Sequence, residues 1–140
     1  KNIRIDVLNP SLEEELIKNI NNACLVLKIT YGETSFLLTG DIEAAAMKEM
    51  MEVDLDLTAD VLKVPHHGSK MDKTGQEFVD QVAPNFSVIS VGERNPFRHP
   101  RAETLEALAS IPGNIILRTD QQGAVCLVSD GINVTSASTK

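Results

Sequence analysis

The chain lacks several things, and each absence narrows what it can be. Its 140 residues hold no apolar run near the roughly 20 residues that span a bilayer, and no basic-then-apolar leader precedes Asn2 to Leu8. The expectation is a soluble domain with no membrane segment of its own. Positive charge is scarce: 13 Lys+Arg against 20 Asp+Glu give a formal charge of −7. That is the wrong sign for a protein that grips duplex DNA by releasing counterions from phosphates. Any nucleic-acid contact must be local, and a bound divalent ion is one source of local positive charge. Cysteine is limited to Cys24 and Cys126, without CxxC spacing, so thiolate metal ligation is not expected. Both lie in apolar, strand-like runs and read as buried thiols, with a disulfide between neighbouring strands as the alternative. There are no internal repeats.

What is present is an ordinary globular composition, 42% hydrophobic and 24% charged, in a chain long enough for one core. The domain is expected over residues 1–134, with the Ser/Thr-rich residues 135–140 as a frayed tail. The chain opens abruptly on a strand-like stretch without a cap or turn, as a piece cut from a longer protein would.

Ile3, Ile5 and Val7 alternate with Arg4 and Asp6 and are stopped by Asn9-Pro10, the pattern of a half-buried strand. Ser11 followed by Glu13, Glu14 and Glu15 reads as the capped start of a short helix. Leu25 to Ile29 and Ser35 to Thr39 read as a hairpin turning at Tyr31-Gly32-Glu33-Thr34. A helix is expected from Glu43 to Met51, with Ala44, Met47 and Met51 on one face, and another short one over Glu77 to Val82. Val61 to Val64 and Phe86 to Val91 are apolar strands, and Ala102 to Ala109 is a helix stopped by Pro112-Gly113. Ile115 to Arg118, Ala124 to Val128 and Ile132 to Val134 are three closing strands. Strand pairs followed by strand-helix alternation predict an α/β layered fold, a mixed sheet with helices on its outer face.

Titratable groups gather just after the predicted strands. Phe36 to Thr39 runs into Gly40-Asp41, Val61 to Pro65 into His66-His67-Gly68-Ser69, and Val88 to Val91 into Gly92, Asn95 and His99. In layered α/β sheets the crevice beyond the carboxyl ends of the strands is where ligands bind. Asp41 follows a glycine that permits a sharp turn, although Asp is also a good helix N-cap for the segment beginning at Ile42. Successive residues of an extended chain point opposite ways, so only one of His66 and His67 is expected to face the crevice. His99, extended before Pro100, is placed to touch substrate, ligate a metal or dock its loop. Asp and His from separate loops suit zinc or manganese, but a catalytic zinc site takes about three protein ligands plus water, and two are too few.

Read together, Asn21 to Leu27, Tyr31-Gly32, Phe36 to Asp41, Asp60 to Ser69, Val88 to Gly92, His99-Pro100 and Thr119 to Ala124 resemble the metallo-β-lactamase domain of ComEC-type DNA-uptake competence proteins. The resemblance runs from Ile3 to Leu127. It implies the C-terminal half of an αββα sandwich, with Asp41 as a metal-bridging carboxylate and His66 as a histidine ligand. It further implies that Asp41, His66 and His99 are catalytic and that His67, Ser69 and Asn95 contact substrate. The implied activity is metal-dependent phosphodiester hydrolysis, a nuclease acting on single-stranded DNA during natural transformation. The implied cofactor is zinc or manganese, two ions in a complete domain. The implied partners are the N-terminal half of the same domain and a membrane channel domain, on the extracellular face of a bacterial membrane.

The departures are equally plain. The family's His-x-His-x-Asp-His motif belongs to the N-terminal half and has no counterpart among His66, His67 and His99. Asn21 and Asn22 stand where many relatives carry a ligand histidine, and Arg98 stands where a glycine usually precedes His-Pro. The isolated chain is therefore expected to be inactive, with weak or absent metal binding. The alternative is a non-catalytic nucleotide- or DNA-binding module on the same fold. A metal-free triad through Ser69 is disfavoured because the Gly-x-Ser-x-Gly elbow is missing.

Overall fold

The computed structural model describes residues 2–10, 18–53 and 55–137. The helix expected after Ser11 lies outside them. In chain order the elements are β1 (Ile3–Asn9), β2 (Val26–Tyr31), β3 (Thr34–Leu38), α1 (Ala44–Glu52), β4 (Val61–Lys63), a 3-10 turn (Pro65–Gly68), α2 (Lys73–Val82), β5 (Phe86–Ile89), α3 (Ala102–Ala109), β6 (Ile115–Arg118), α4 (Thr119–Gln122), β7 (Cys126–Ser129) and β8 (Val134–Ala137).

Strands β1 to β6 form one sheet in simple sequence order, and β7 and β8 pair separately. The first three are antiparallel, β2 and β3 joined through the tight Tyr31–Thr34 turn; β3 to β6 are parallel. Parallel neighbours need crossovers, and α1, α2 and α3 supply them in turn. Because each step moves the same way across the sheet, crossovers of one hand put all three helices on one face. The mixed α/β sheet expected from the sequence is present.

The helix-covered face carries the core. Val26, Leu37, Leu62, Val64 and Ile89 from the strands meet Met47 and Met50 of α1, Phe78, Val79 and Val82 of α2, and Leu108 of α3. Each such side chain contributes roughly 1.5–3 kcal/mol by leaving water. The opposite face is apolar too. Ile5, Ile29, Phe36, Val61, Phe86 and Ile115 lie in register across all six strands. At its margins Ile3, Ile5, Val7 and Ile115 are 66%, 59%, 63% and 51% exposed. The β7–β8 hairpin lies over part of this face, where the Thr34 and Ser129 hydroxyls are 2.6 Å apart and the Glu33 N–H donates to the Gly131 carbonyl. Gly32 permits that approach, since a Cβ there would collide with the Gly131 carbonyl oxygen.

Several local expectations change. Helix α1 buries Ala46, Met47 and Met50 rather than Ala44, Met47 and Met51, because the stripe facing the sheet is rotated from the one read by composition. Helix α2 starts at Lys73, earlier than Glu77, because the Asp72 side chain caps it by accepting from the Gly75 N–H at 3.0 Å. Residues 135–137, expected in a frayed tail, pair with β7 as β8; the short α4 was not anticipated. Cys24 and Cys126 are free thiols, both half-buried rather than buried.

Candidate active site at the carboxyl ends of the strands

Three loops converge beyond β3, β4 and β5, and each is shaped by a local necessity. Gly40 has φ +57°, and a Cβ there would come within 2.9 Å of the Cys24 Cβ, so the turn delivering Asp41 requires glycine. Gly68 has φ +79°, and a Cβ would lie 2.6 Å from the Pro100 Cβ, so glycine lets the His66 and His99 loops touch. The Arg101 N–H donates to the Gly68 carbonyl, and the Thr104 hydroxyl to the Ser69 carbonyl, which ties α3 to the same turn.

Asp41 is not the helix cap. Helix α1 is capped from a distance by Asn22, whose Oδ1 accepts from the Glu43 and Ala46 N–H groups at 2.9 and 3.4 Å. Asp41 is left to face the crevice, with Lys63 Nζ at 3.8 Å and His67 Nε2 at 3.6 Å from its Oδ1. Lys63 also donates to the Gly40 carbonyl at 2.9 Å, so one ammonium holds the turn and its carboxylate. Burial pulls the Lys63 pKa below its ordinary value, and the Asp41 charge partly opposes that fall.

The two adjacent histidines do not alternate. His66 and His67 have φ +48° and +55°, a left-handed pair inside the Pro65–Gly68 turn, not the extended pair expected. Both rings therefore reach the site, with centroids 6.5 Å apart. The His67 Nδ1 lies 2.7 Å from the Ser90 carbonyl. A carbonyl only accepts, so Nδ1 is the donor there and Nε2 is the atom turned toward Asp41, an arrangement that commonly orients a metal-binding imidazole. His66 instead turns its Nδ1 to within 3.5 Å of Glu43 Oε1. Glu43 is held in place by Asn19 and Asn21, which donate to its two oxygens at 2.9 and 2.8 Å.

His99 completes the group. Its ring lies 5.9 Å from that of His66 and stacks on Phe97 at 5.8 Å. Burial first, then the charges of His66, Arg101 and His67, push its pKa down, which keeps the ring neutral at neutral pH. The Nδ1 atoms of His66 and His99 are buried without a hydrogen bond. Asn95, expected to contact substrate, is engaged inside its own loop: it donates to the Gly92 and His99 carbonyls and accepts from the His99 N–H. Arg98 adopts φ +58°, in the left-handed region that glycine enters freely. Ser69 lines a cleft beside His66.

Lys63 and Glu43 were missed by the sequence reading. Lys63 carried a usable signal, since a lysine inside Val61-Leu62-Lys63-Val64 interrupts an otherwise apolar strand. Glu43 carried none, because an acid at the start of a helix needs no further reason. Among the described residues no group of three or more His, Cys, Asp or Glu side chains is disposed to hold a metal ion. Asp41 and His67 offer two donors, and Lys63 takes part of the carboxylate's charge. The residues present do not by themselves make a complete metal centre.

These features define a layered α/β protein with two acids, an amine and three imidazoles beyond the carboxyl ends of its strands. Among proteins it is similar to, ComE operon protein 3 of Bacillus subtilis is 41% identical over 125 residues, and competence protein ComA of Neisseria gonorrhoeae is 31% identical over 124. Recombination protein 2 of Haemophilus influenzae is 38% identical over 88 residues. The matches cover 89%, 88% and 63% of this chain but only 16%, 17% and 11% of those proteins. The chain thus spans about a sixth of the length of the first two relatives. The similarity is thus to one segment of longer proteins, one of which is named as a competence protein. No family model and no solved structure matches the chain. No helix among the described residues is long and apolar enough to cross a membrane.

Proposed function

We propose that the chain carries part of a metal-dependent phosphodiesterase site that acts on single-stranded DNA during DNA uptake, completed by another part of the parent protein. The observation that carries this reading is His67, fixed through Nδ1 by the Ser90 carbonyl with Nε2 turned toward Asp41, beside the rings of His66 and His99. The names of the competence relatives support the DNA-uptake context. In this reading Asp41 and His67, in preference to His66, contribute two ligands to a zinc or manganese centre. Their remaining partners come from the N-terminal half of an αββα sandwich seated on the sheet's bare face. His66 and His99 then stand against the phosphate. The membrane channel domain and an extracellular setting belong to the same reading of the parent.

The test is manganese-dependent cleavage of single-stranded DNA by the parent protein. Asp41→Ala and His67→Ala are each expected to lower the rate by about 100-fold. The isolated chain is expected to show no cleavage. Unchanged rates in both variants overturn the proposal. The second reading, a module that binds DNA without cutting it, is favoured by the lack of a three-donor group among the described residues. It is distinguished by a parent that retains single strands but never shortens them with manganese present.

A further inference from the structure

Beside His66, and with neither His67 nor His99 in its lining, lies a cleft of about 350 Å³ between the Pro65–Gly68 turn and the first turns of α1 and α2. Its size falls at the lower end of small-molecule sites. Ile42, Met47, Pro65 and Met71 supply apolar surface, while Glu43, His66, Ser69, Lys70 and Asp72 supply polar groups. We propose that this cleft is a base-binding subsite, which takes the nucleobase next to a phosphate held at the histidines, without regard to which base it is. The inference rests on the DNA-processing reading and deepens it.

Two features point to a base, and a third to tolerance. First, His66 is shared: it belongs to the histidine group and also lines the cleft, so a phosphate at the histidines leaves its own nucleoside within reach of the cleft. Second, Met47 and Met71 present polarizable side chains to the space, and thioethers make favourable contacts with flat aromatic rings of any identity. Third, the lining holds no Asn, Gln or Arg, the side chains that read base edges by paired hydrogen bonds. Its two carboxylates are already engaged, Glu43 by Asn19 and Asn21 and Asp72 by the Gly75 N–H. Lys70, paired with Glu103 at 3.2 Å, adds a cation to the same lining. A site of this kind suits an activity that must accept every sequence.

The chain carries four methionines, so methyl-labelled methionine gives a direct readout. Met50 and Met51, outside the cleft lining, serve as internal references. The four deoxynucleoside 5′-monophosphates and deoxyribose 5-phosphate are titrated separately, without metal. Met47 and Met71 methyl signals are expected to move with all four nucleotides, with affinities within about threefold of one another and at least about tenfold above deoxyribose 5-phosphate. Ala44→Trp, a substitution at a half-buried lining position outside the core, is expected to weaken nucleotide binding about tenfold by filling the space. Equal responses to nucleotide and sugar phosphate overturn the base subsite, as does a preference above about tenfold for one base. Silent methyl signals in a chain whose parent still cuts DNA overturn the subsite alone. Responding methyl signals with an uncut substrate overturn the nuclease reading alone.

Discussion

The two faces of the six-stranded sheet are built from the same kinds of residue and have different fates. Leu37, Leu62 and Ile89 on one face are fully buried beneath α1, α2 and α3, whereas Ile5 and Ile115 on the other are more than half exposed. Composition does not separate them; connectivity does. Every crossover in β3 to β6 runs the same way and covers the same side, while among the described residues the β7–β8 hairpin meets the other at Thr34. On that face exposure is greatest at the edges: Ile3, Ile5 and Val7 of β1 and Ile115 of β6 are more than half exposed, whereas Val61 between them is 3% exposed.

The comparison can be broken by mutation, and the largest effect is expected on the covered face. Leu62→Ala should cost about 3–4 kcal/mol in urea unfolding, through lost burial and a residual cavity. On the bare face Ile5→Ser should change the stability of the isolated chain by less than about 0.5 kcal/mol. If the second layer proposed above covers this face in the parent, the same substitution costs about 2 kcal/mol there. Equal costs for Leu62→Ala and Ile5→Ser in the isolated chain would mean that the two faces are equally buried in solution.

A smaller effect sharpens how the helices are fastened to their side. Asn22→Ala should destabilise by about 1–2 kcal/mol, because it leaves the first turn of α1 without its remote cap. Hydrogen exchange should speed up at Glu43 and Ala46 first. If exchange there is unchanged, α1 is held by packing alone.

The smallest effect concerns Lys28, a charged side chain buried on the covered face and satisfied by Asp56 at 2.6 Å. The Lys28 hydrogen bond, then that from Thr58, lowers the Asp56 pKa from 3.8 to about 2. A carboxyl with a depressed folded pKa stabilises above its unfolded value, so this contribution is complete above pH 3.8 and fades as pH falls toward about 2. Asp56 is largely exposed, and solvent screening limits the contribution to about 1 kcal/mol or less. Asp56→Asn should therefore lower stability slightly at neutral pH and not at pH near 2. A difference that persists undiminished in acid would assign the pair no role.

Much of the candidate site was legible because its residues follow strands, and strand ends are set by local signals such as Gly40, Pro65 and Gly92. Asp41 was ambiguous between cap and site, since an aspartate before a helix fits both. Only Asn22, brought from the β1–β2 connection, removes the first role. The histidine pair was misread for a different reason. Alternation holds for extended backbone, but contacts distant in sequence hold His66 and His67 left-handed: the His66 N–H donates to the Gly40 carbonyl, and the His67 ring meets the Ser90 carbonyl. That conformation costs roughly 1–2 kcal/mol per residue, and no local motif announces it.

The sequence by itself determined where most strands and helices lie, because a period of two and the helix and turn signals act over a few residues. Tertiary structure alone decided which face the helices cover, which histidine meets Asp41, and that Glu43 and Lys63 join the site. Those outcomes depend on strand order, crossover hand and contacts between loops far apart in the chain, none of which a local pattern encodes.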